Sequence, residues 1–154
     1  MNPAAKSIRE VLSETLKEKV TSIHAPYFDK KENVFAKLAI DSGYVSSVGM
    51  YVNKFEKLIS NFTGAKYVIA VNTGTAALHL ALKCFEIGKN DEVLIPSLSF
   101  VATGNVVKYC DAVPHFVDIE NKSLGIDPIK LESYLNKHTI IKNDNCINKK
   151  TKRK

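Results

Sequence analysis

The chain has 154 residues, 45% hydrophobic and 25% charged, proportions that suit one globular domain with a real core. No apolar run approaches the roughly 20 residues of a membrane span, and the N-terminal MNPAAKSIREVLSETLKEK has no apolar segment of the signal-peptide kind. Cys84, Cys110 and Cys146 are odd in number, widely spaced and without metal-ligand spacing, which points to reduced thiols in a cytoplasmic protein that binds neither metal nor membrane.

The net charge of +6 is local. Residues 1–135 hold 15 basic and 15 acidic side chains, whereas residues 136–154 hold seven basic ones against Asp144 alone.

Residues 4–20 read as a helix, with Ile8, Val11, Leu12, Leu16 and Val20 at three- and four-residue spacings. Ser7 and Glu10 have the spacing of a capping box, although the helix can begin earlier. His24-Ala25-Pro26-Tyr27-Phe28 is a loop, because Pro26 disfavours helix at Ala25. A short helix follows over 31–41 and ends near Gly43. Gly43 to Gly49, GYVSSVG, is a glycine-bracketed loop that by itself reads as an interhelix turn. The next helix, Met50 to Phe62, gathers Tyr51, Phe55, Leu58, Ile59 and Phe62 on one face and stops at Gly64. Asn61-Phe62-Thr63 fits a glycosylation sequon, but nothing else in the chain suggests secretion.

Lys66 to Phe85, KYVIAVNTGTAALHLALKCF, then changes register. Tyr67 to Val71 is a two-sided apolar run, the pattern of a buried parallel strand. Asn72-Thr73-Gly74-Thr75 breaks it, and Ala76, Ala77, Leu80, Ala81, Cys84 and Phe85 restart with helical spacing. Strand, small polar turn and helix in that order aim free backbone N–H groups and a positive dipole end at one point, as a phosphate site requires. The same pattern is also what an empty helix cap looks like. It is neither a P-loop nor a G-x-G-x-x-G dinucleotide turn.

A second strand is expected over Glu92–Ile95, followed by Ser97-Leu98-Ser99-Phe100 and a helix of about Val101 to Cys110. A third covers Val113 to Asp118, and Asp127 caps a helix with Pro128 at its first position, running to about Asn136. The β-α-β-α-β-α order from Lys66 predicts an α/β fold with a mainly parallel sheet and helices on its faces, preceded by an N-terminal helical segment. The organisation expected is 1–65 helical, 66–136 α/β and 137–154 a basic tail. Thr139-Ile140-Ile141 can form a strand, but KNDNCINKKTKRK beyond it reads as solvated charge. No aromatics interleave with its lysines and no binding motif precedes them, which argues against nucleic acid. The run ends without a closing element, as a truncated end would.

In a parallel sheet, ligands bind outside the carboxyl ends of the strands. That rule brings the Asn72–Thr75 turn, the Pro96–Phe100 turn and Asp118 together. Gly74 and Thr75 offer N–H donors and a hydroxyl to an anion, and Phe100 offers a flat apolar face. An anion cradle beside an aromatic plane suits a phosphorylated planar cofactor, although a phenylalanine after a strand more often belongs to a core.

Two strings, YVSSVGMYVNKFEKLISNFTGAKYVIAVNTGTAALHLAL and DEVLIPSLSFVATGNVVKYCDAVPHFVDIENKSLGIDP, resemble the DegT/DnrJ-type nucleotide-sugar aminotransferases over about residues 8–140. IREVL, HAPYF and YVSSVG in the N-terminal part resemble most the branch acting on UDP-linked amino-deoxy sugars of legionaminic-type and related surface glycans. The resemblance implies part of the large domain of aminotransferase fold type I. It also implies pyridoxal 5'-phosphate (PLP) as cofactor, its phosphate on Gly74 and Thr75, its ring on Phe100 and Thr103 nearby. Val45, Ser46 and Ser47 become a wall of the sugar site near a dimer interface. The implied substrates are a UDP-linked keto-deoxy sugar and an amino donor such as glutamate.

Members of that family are more than twice as long, with the Schiff-base lysine and the carboxylate that pairs with the pyridinium nitrogen beyond the position of Lys154. No catalytic residue can therefore be carried over, and Lys142 and Lys149 to Lys154 match no such motif. The expectation is an N-terminal portion of a homodimeric transaminase, inactive alone. The alternative is a non-catalytic phosphate-binding or interaction module derived from the fold. Losing half of a parallel sheet would expose apolar faces, so marginal stability is expected.

Overall fold

The computed structural model describes residues 3–16 and 25–154. His24 and the end of the first predicted helix lie outside them. The chain divides after Phe55 into two units.

The first unit contains α1 (Pro3–Leu16), α2 (Lys30–Asp41) and the start of α3 (Met50–Thr63). Ser7 sits inside α1, so it forms no capping box there; the box belongs to α2. Asp29 accepts from the N–H of Lys31 while the Glu32 carboxylate accepts from the N–H of Asp29. The Phe35 and Tyr51 rings meet edge to face at 6.2 Å and join α2 to α3.

The second unit begins within α3, which ends at Gly64 with φ +75°, a conformation glycine adopts without a Cβ clash. Irregular chain follows to α4 (Gly74–Cys84). Then come β1 (Glu92–Pro96), α5 (Val101–Tyr109), β2 (Val113–Val117) and α6 (Pro128–His138). The last two elements are β3 (Thr139–Lys142) and β4 (Asn145–Asn148). β1 and β2 pair in parallel, Glu92 opposite Val113 through Pro96 opposite Val117. From α4 onward, the α/β alternation predicted from the sequence is the observed architecture.

The core sits where β1, α4 and α5 meet. Ile95, Val107, Cys110 and Ala112 are buried together, with Leu82, Ile87 and Val93 packed against them. α6 starts as its sequence predicts: Oδ1 of Asp127 accepts from the N–H groups of Ile129 and Lys130, both at 3.0 Å, and Pro128 follows directly. Replacing Asp127 with alanine is expected to cost about 1 kcal/mol, because two first-turn donors lose their acceptor. A urea midpoint unchanged in D127A would contradict this.

Two segments differ from their sequence patterns. Tyr67 to Val71 forms no strand and has no ladder partner among the described residues, and Tyr67 and Ile69 are 78% and 72% exposed. Alternation and apolarity record how a segment wants to be buried; a strand also needs a neighbour to pair with. Its tether is local, the N–H of Ala70 donating to Oε1 of Glu56 at 2.8 Å. The polar run after Ile141 is the second difference. It forms the return arm of an antiparallel β3–β4 hairpin, and its last residues fold back onto β1.

Candidate functional site

The start of α4 leaves two backbone donors free. Thr73 is the N-cap; its Oγ1 accepts from the N–H of Ala76 at 3.1 Å and its carbonyl from the N–H of Ala77. The N–H groups of Gly74 and Thr75 find no acceptor among the described residues, as expected of first-turn positions. A Cβ added at Gly74 would meet nothing within 4 Å, so the space above the turn is open. Two adjacent donors, a threonine hydroxyl and the positive end of the helix dipole are what an anion takes.

α5 begins in a similar way. The N–H of Ser97 makes the last link to β2, donating to the carbonyl of Val117 at 3.0 Å. Phe100 occupies the N-cap position with extended backbone and no side-chain cap, and its ring is 70% exposed. Oγ1 of Thr103 lies 2.8 Å from Oγ of Ser99, which ties the turn to the helix. Phe100 and Thr103 line a shallow hollow of about 290 Å³ with Pro96, Ser97, Gly104 and Lys108. Gly74 and Thr75 do not line it.

Leu82 of α4 packs against the buried cluster to which Val107 and Cys110 of the α5 region belong. His79 and Tyr109 add an edge-to-face contact at 5.7 Å. α5 starts at the carboxyl end of β1, and Phe100 and Thr103 lie there. Asp118 follows β2 there too, but its carboxylate is engaged by Nζ of Lys130 at 3.0 Å, which holds that ammonium above its usual pKa.

Val45, Ser46 and Ser47 are exposed in the first unit. Oγ of Ser46 lies 3.4 Å from both the N–H and the carbonyl oxygen of Val48. Gly49 closes the loop at φ +153°, where a Cβ would come within 3.1 Å of Cβ of Tyr44. No group of three metal-ligating side chains occurs among the described residues. No described helix is long and apolar enough to cross a membrane.

A further polar cluster gave no signal in the sequence. The Glu92 carboxylate receives Nδ2 of Asn148 at 2.9 Å and lies 3.1 Å from Nδ1 of His115. A glutamate opening a strand and a histidine inside the next one were the only hints, and pairing register was needed to join them. The cluster lies toward the amino end of β1, where Lys154 also pairs, at the opposite end of the strand from the α5 start.

A sequence profile of the DegT/DnrJ/EryC1/StrS aminotransferase family matches residues 26–145. GDP-perosamine synthase of Caulobacter vibrioides is 41% identical over 118 residues, 77% of this chain and 32% of that protein. The Bacillus subtilis spore coat polysaccharide biosynthesis protein SpsC is 42% identical over 114 residues, 74% of this chain and 29% of that protein. Among solved structures, the PLP form of the sugar aminotransferase Spr1654 from Streptococcus pneumoniae superposes with a TM-score of 0.64 at 27% identity, covering 73% of this chain and 29% of that one. The chain thus spans about a third of the length of these relatives. Its helices and parallel pair are part of an aminotransferase type I fold, and the chain belongs to the DegT/DnrJ/EryC1/StrS aminotransferase family.

Proposed function

We propose that this chain is the N-terminal, cofactor-phosphate-binding part of a PLP-dependent nucleotide-sugar aminotransferase. The observation that carries the reading is the pair of N–H groups on Gly74 and Thr75, without an acceptor among the described residues, at the positive end of α4; the exposed Phe100 that opens α5 supports it. The residues fit the phosphate and one ring face of the cofactor, and nothing more of it. Bound PLP supplies the electron sink through which an amino group passes from a donor to a keto sugar. Gly74 and Thr75 hold the phosphate, Phe100 orients the ring, and Thr103 through Ser99 keeps the Phe100 turn in place.

The substrate is a UDP-linked 4-keto deoxy sugar with glutamate as donor, bound beside Val45, Ser46 and Ser47 in a cytoplasmic homodimer. Support for UDP comes from the IREVL, HAPYF and YVSSVG segments. A chain of the relatives' full length should aminate the UDP-linked keto sugar in preference to its GDP-linked counterpart. Equal turnover of the two would overturn that choice.

The 154-residue chain by itself is expected to give no turnover and no shift of the PLP absorption band on titration. Tail lysines are poor candidates for a covalent attachment: Nζ of Lys149 donates to the carbonyl of Lys137 at 2.8 Å, and Lys154 pairs at the amino end of β1. Lys108 is the lysine that lines the hollow beside Phe100. A shifted band lost in K108A would refute the incompleteness of the site.

A further inference from the structure

Glu92 is a carboxylate whose side chain is only 8% exposed, at the start of a strand whose next residues are Val93, Leu94 and Ile95. A buried charge of this kind persists only when donors surround it. The donors come from elements distant in sequence. His115 lies on β2, Asn148 ends β4, and Arg153 comes from the turn beyond it, its Nη1 4.0 Å from Oε1.

Asn148 is itself the hub of that turn. Its Oδ1 accepts from the N–H groups of Lys150 and Thr151, its own N–H donates to the carbonyl of Arg153, and its carbonyl accepts from the N–H of Lys152. The segment then lays Lys154 against the strand: its N–H donates to the carbonyl of Asn90 at 3.0 Å, and its carbonyl accepts from the N–H of Glu92 at 2.6 Å. Residues 149–154, KKTKRK, bring no apolar side chain to the contact. Polar interactions therefore hold this turn in place, and the Glu92 carboxylate is the buried charge among them.

We propose that Glu92 is a proton-operated latch that fastens the turn Asn148–Lys154 to the edge of β1 and releases it on acidification. Burial raises the pKa of this carboxyl, but hydrogen bonds from Thr151, Asn148 and His115 and the charge of His115 outweigh burial and hold it below the ordinary glutamate value of 4.5. A depressed value means that the stabilisation is fully present above 4.5 and is lost as the pH falls through the lower folded value. The other groups facing the cluster are Asp91, 3.9 Å from Nζ of Lys154, and Tyr134 and His138 of α6, with Tyr134 edge to face on His115. Cys146 lines the adjoining 130 Å³ cavity.

The test is amide hydrogen exchange on the 154-residue chain, from neutral pH to below 4.5. Protection at Lys152 and Lys154 is compared with that of the core amides Val107 and Ala112. At neutral pH, Glu92→Gln should lower protection at Lys152 and Lys154 about tenfold, the scale of one charge-assisted hydrogen bond, and leave Val107 and Ala112 unchanged. The wild-type chain should approach the variant as the pH falls, and Asn148→Ser should reproduce the loss at neutral pH. Unchanged protection in Glu92→Gln would overturn the latch. Should that variant lose its core amides as well, the wild-type acid series and Asn148→Ser decide. Loss at Lys154 ahead of Ala112 upholds the latch, and loss of both together overturns it.

Discussion

Replacing Ile95 with alanine is expected to unfold the second unit, the largest stability effect of any single substitution in this chain. Ile95 is 4% exposed on the central face of β1 and packs with Val107, Cys110 and Ala112, its Cδ1 reaching 3.8 Å from where a Cβ on Gly104 would stand. Cutting a buried isoleucine to alanine removes three carbons and leaves a cavity, at a cost of about 2–5 kcal/mol. Whole domains are stable by only about 5–15 kcal/mol, and a core with only six buried apolar residues among those described places this one at the low end. The I95A chain should lose its cooperative urea transition at room temperature, or show it at a much lower midpoint. Ile141→Ala, at a position 73% exposed on β3, should move the midpoint by no more than about 0.5 kcal/mol. Similar midpoints for the two variants would mean that the cluster around Ile95 does not hold the unit together.

The second large effect is on binding. Thr75→Asp puts a carboxylate in the first turn of α4, next to the two free N–H groups. A negative charge at a helix N-terminus favours the helix by about 0.3–1 kcal/mol, so folding stability should stay level or rise. The same charge repels a phosphate and replaces a hydroxyl donor, and a lost charge-assisted hydrogen bond is worth about 1.5–3 kcal/mol. Affinity for PLP, followed by the amide shifts of Gly74 and Thr75, should fall by about tenfold or more. Stability and affinity moving in opposite directions is the informative outcome. Equal PLP affinity in T75D and wild type would place the phosphate somewhere other than this turn.

Local signals in the sequence proved readable wherever the physics is local. Asp127 and Pro128 mark the start of α6, Gly64 marks the end of α3, and the NTGT break marks the start of α4 within a residue or two. The start of α5 at Phe100 was legible as well, because the turn Ser97–Phe100 follows β1 directly. Pairing over long distances was not legible. Tyr67 to Val71 has the composition of a buried strand without a described partner, and composition cannot supply one. KNDNCINKK looked like solvated charge because its folding depends on Asn148, which reaches back 56 residues to Glu92.

Lys154 covers only the first rung on the outer side of β1. The carbonyl of Asp91 and the N–H of Ser97 face β2, so by alternation Glu92 and Leu94 face the other way. Glu92 finds Lys154 there, and the N–H of Leu94 has no backbone partner among the described residues. An open rung on a Val-Leu-Ile strand is a template for any extended chain that reaches it, including the same strand of another molecule. Lys152, Arg153 and Lys154 lie beside this edge, two of them against Glu92 and Asp91, and charge at a strand edge disfavours such self-templating. Added salt, which screens charge, should therefore promote edge-to-edge association.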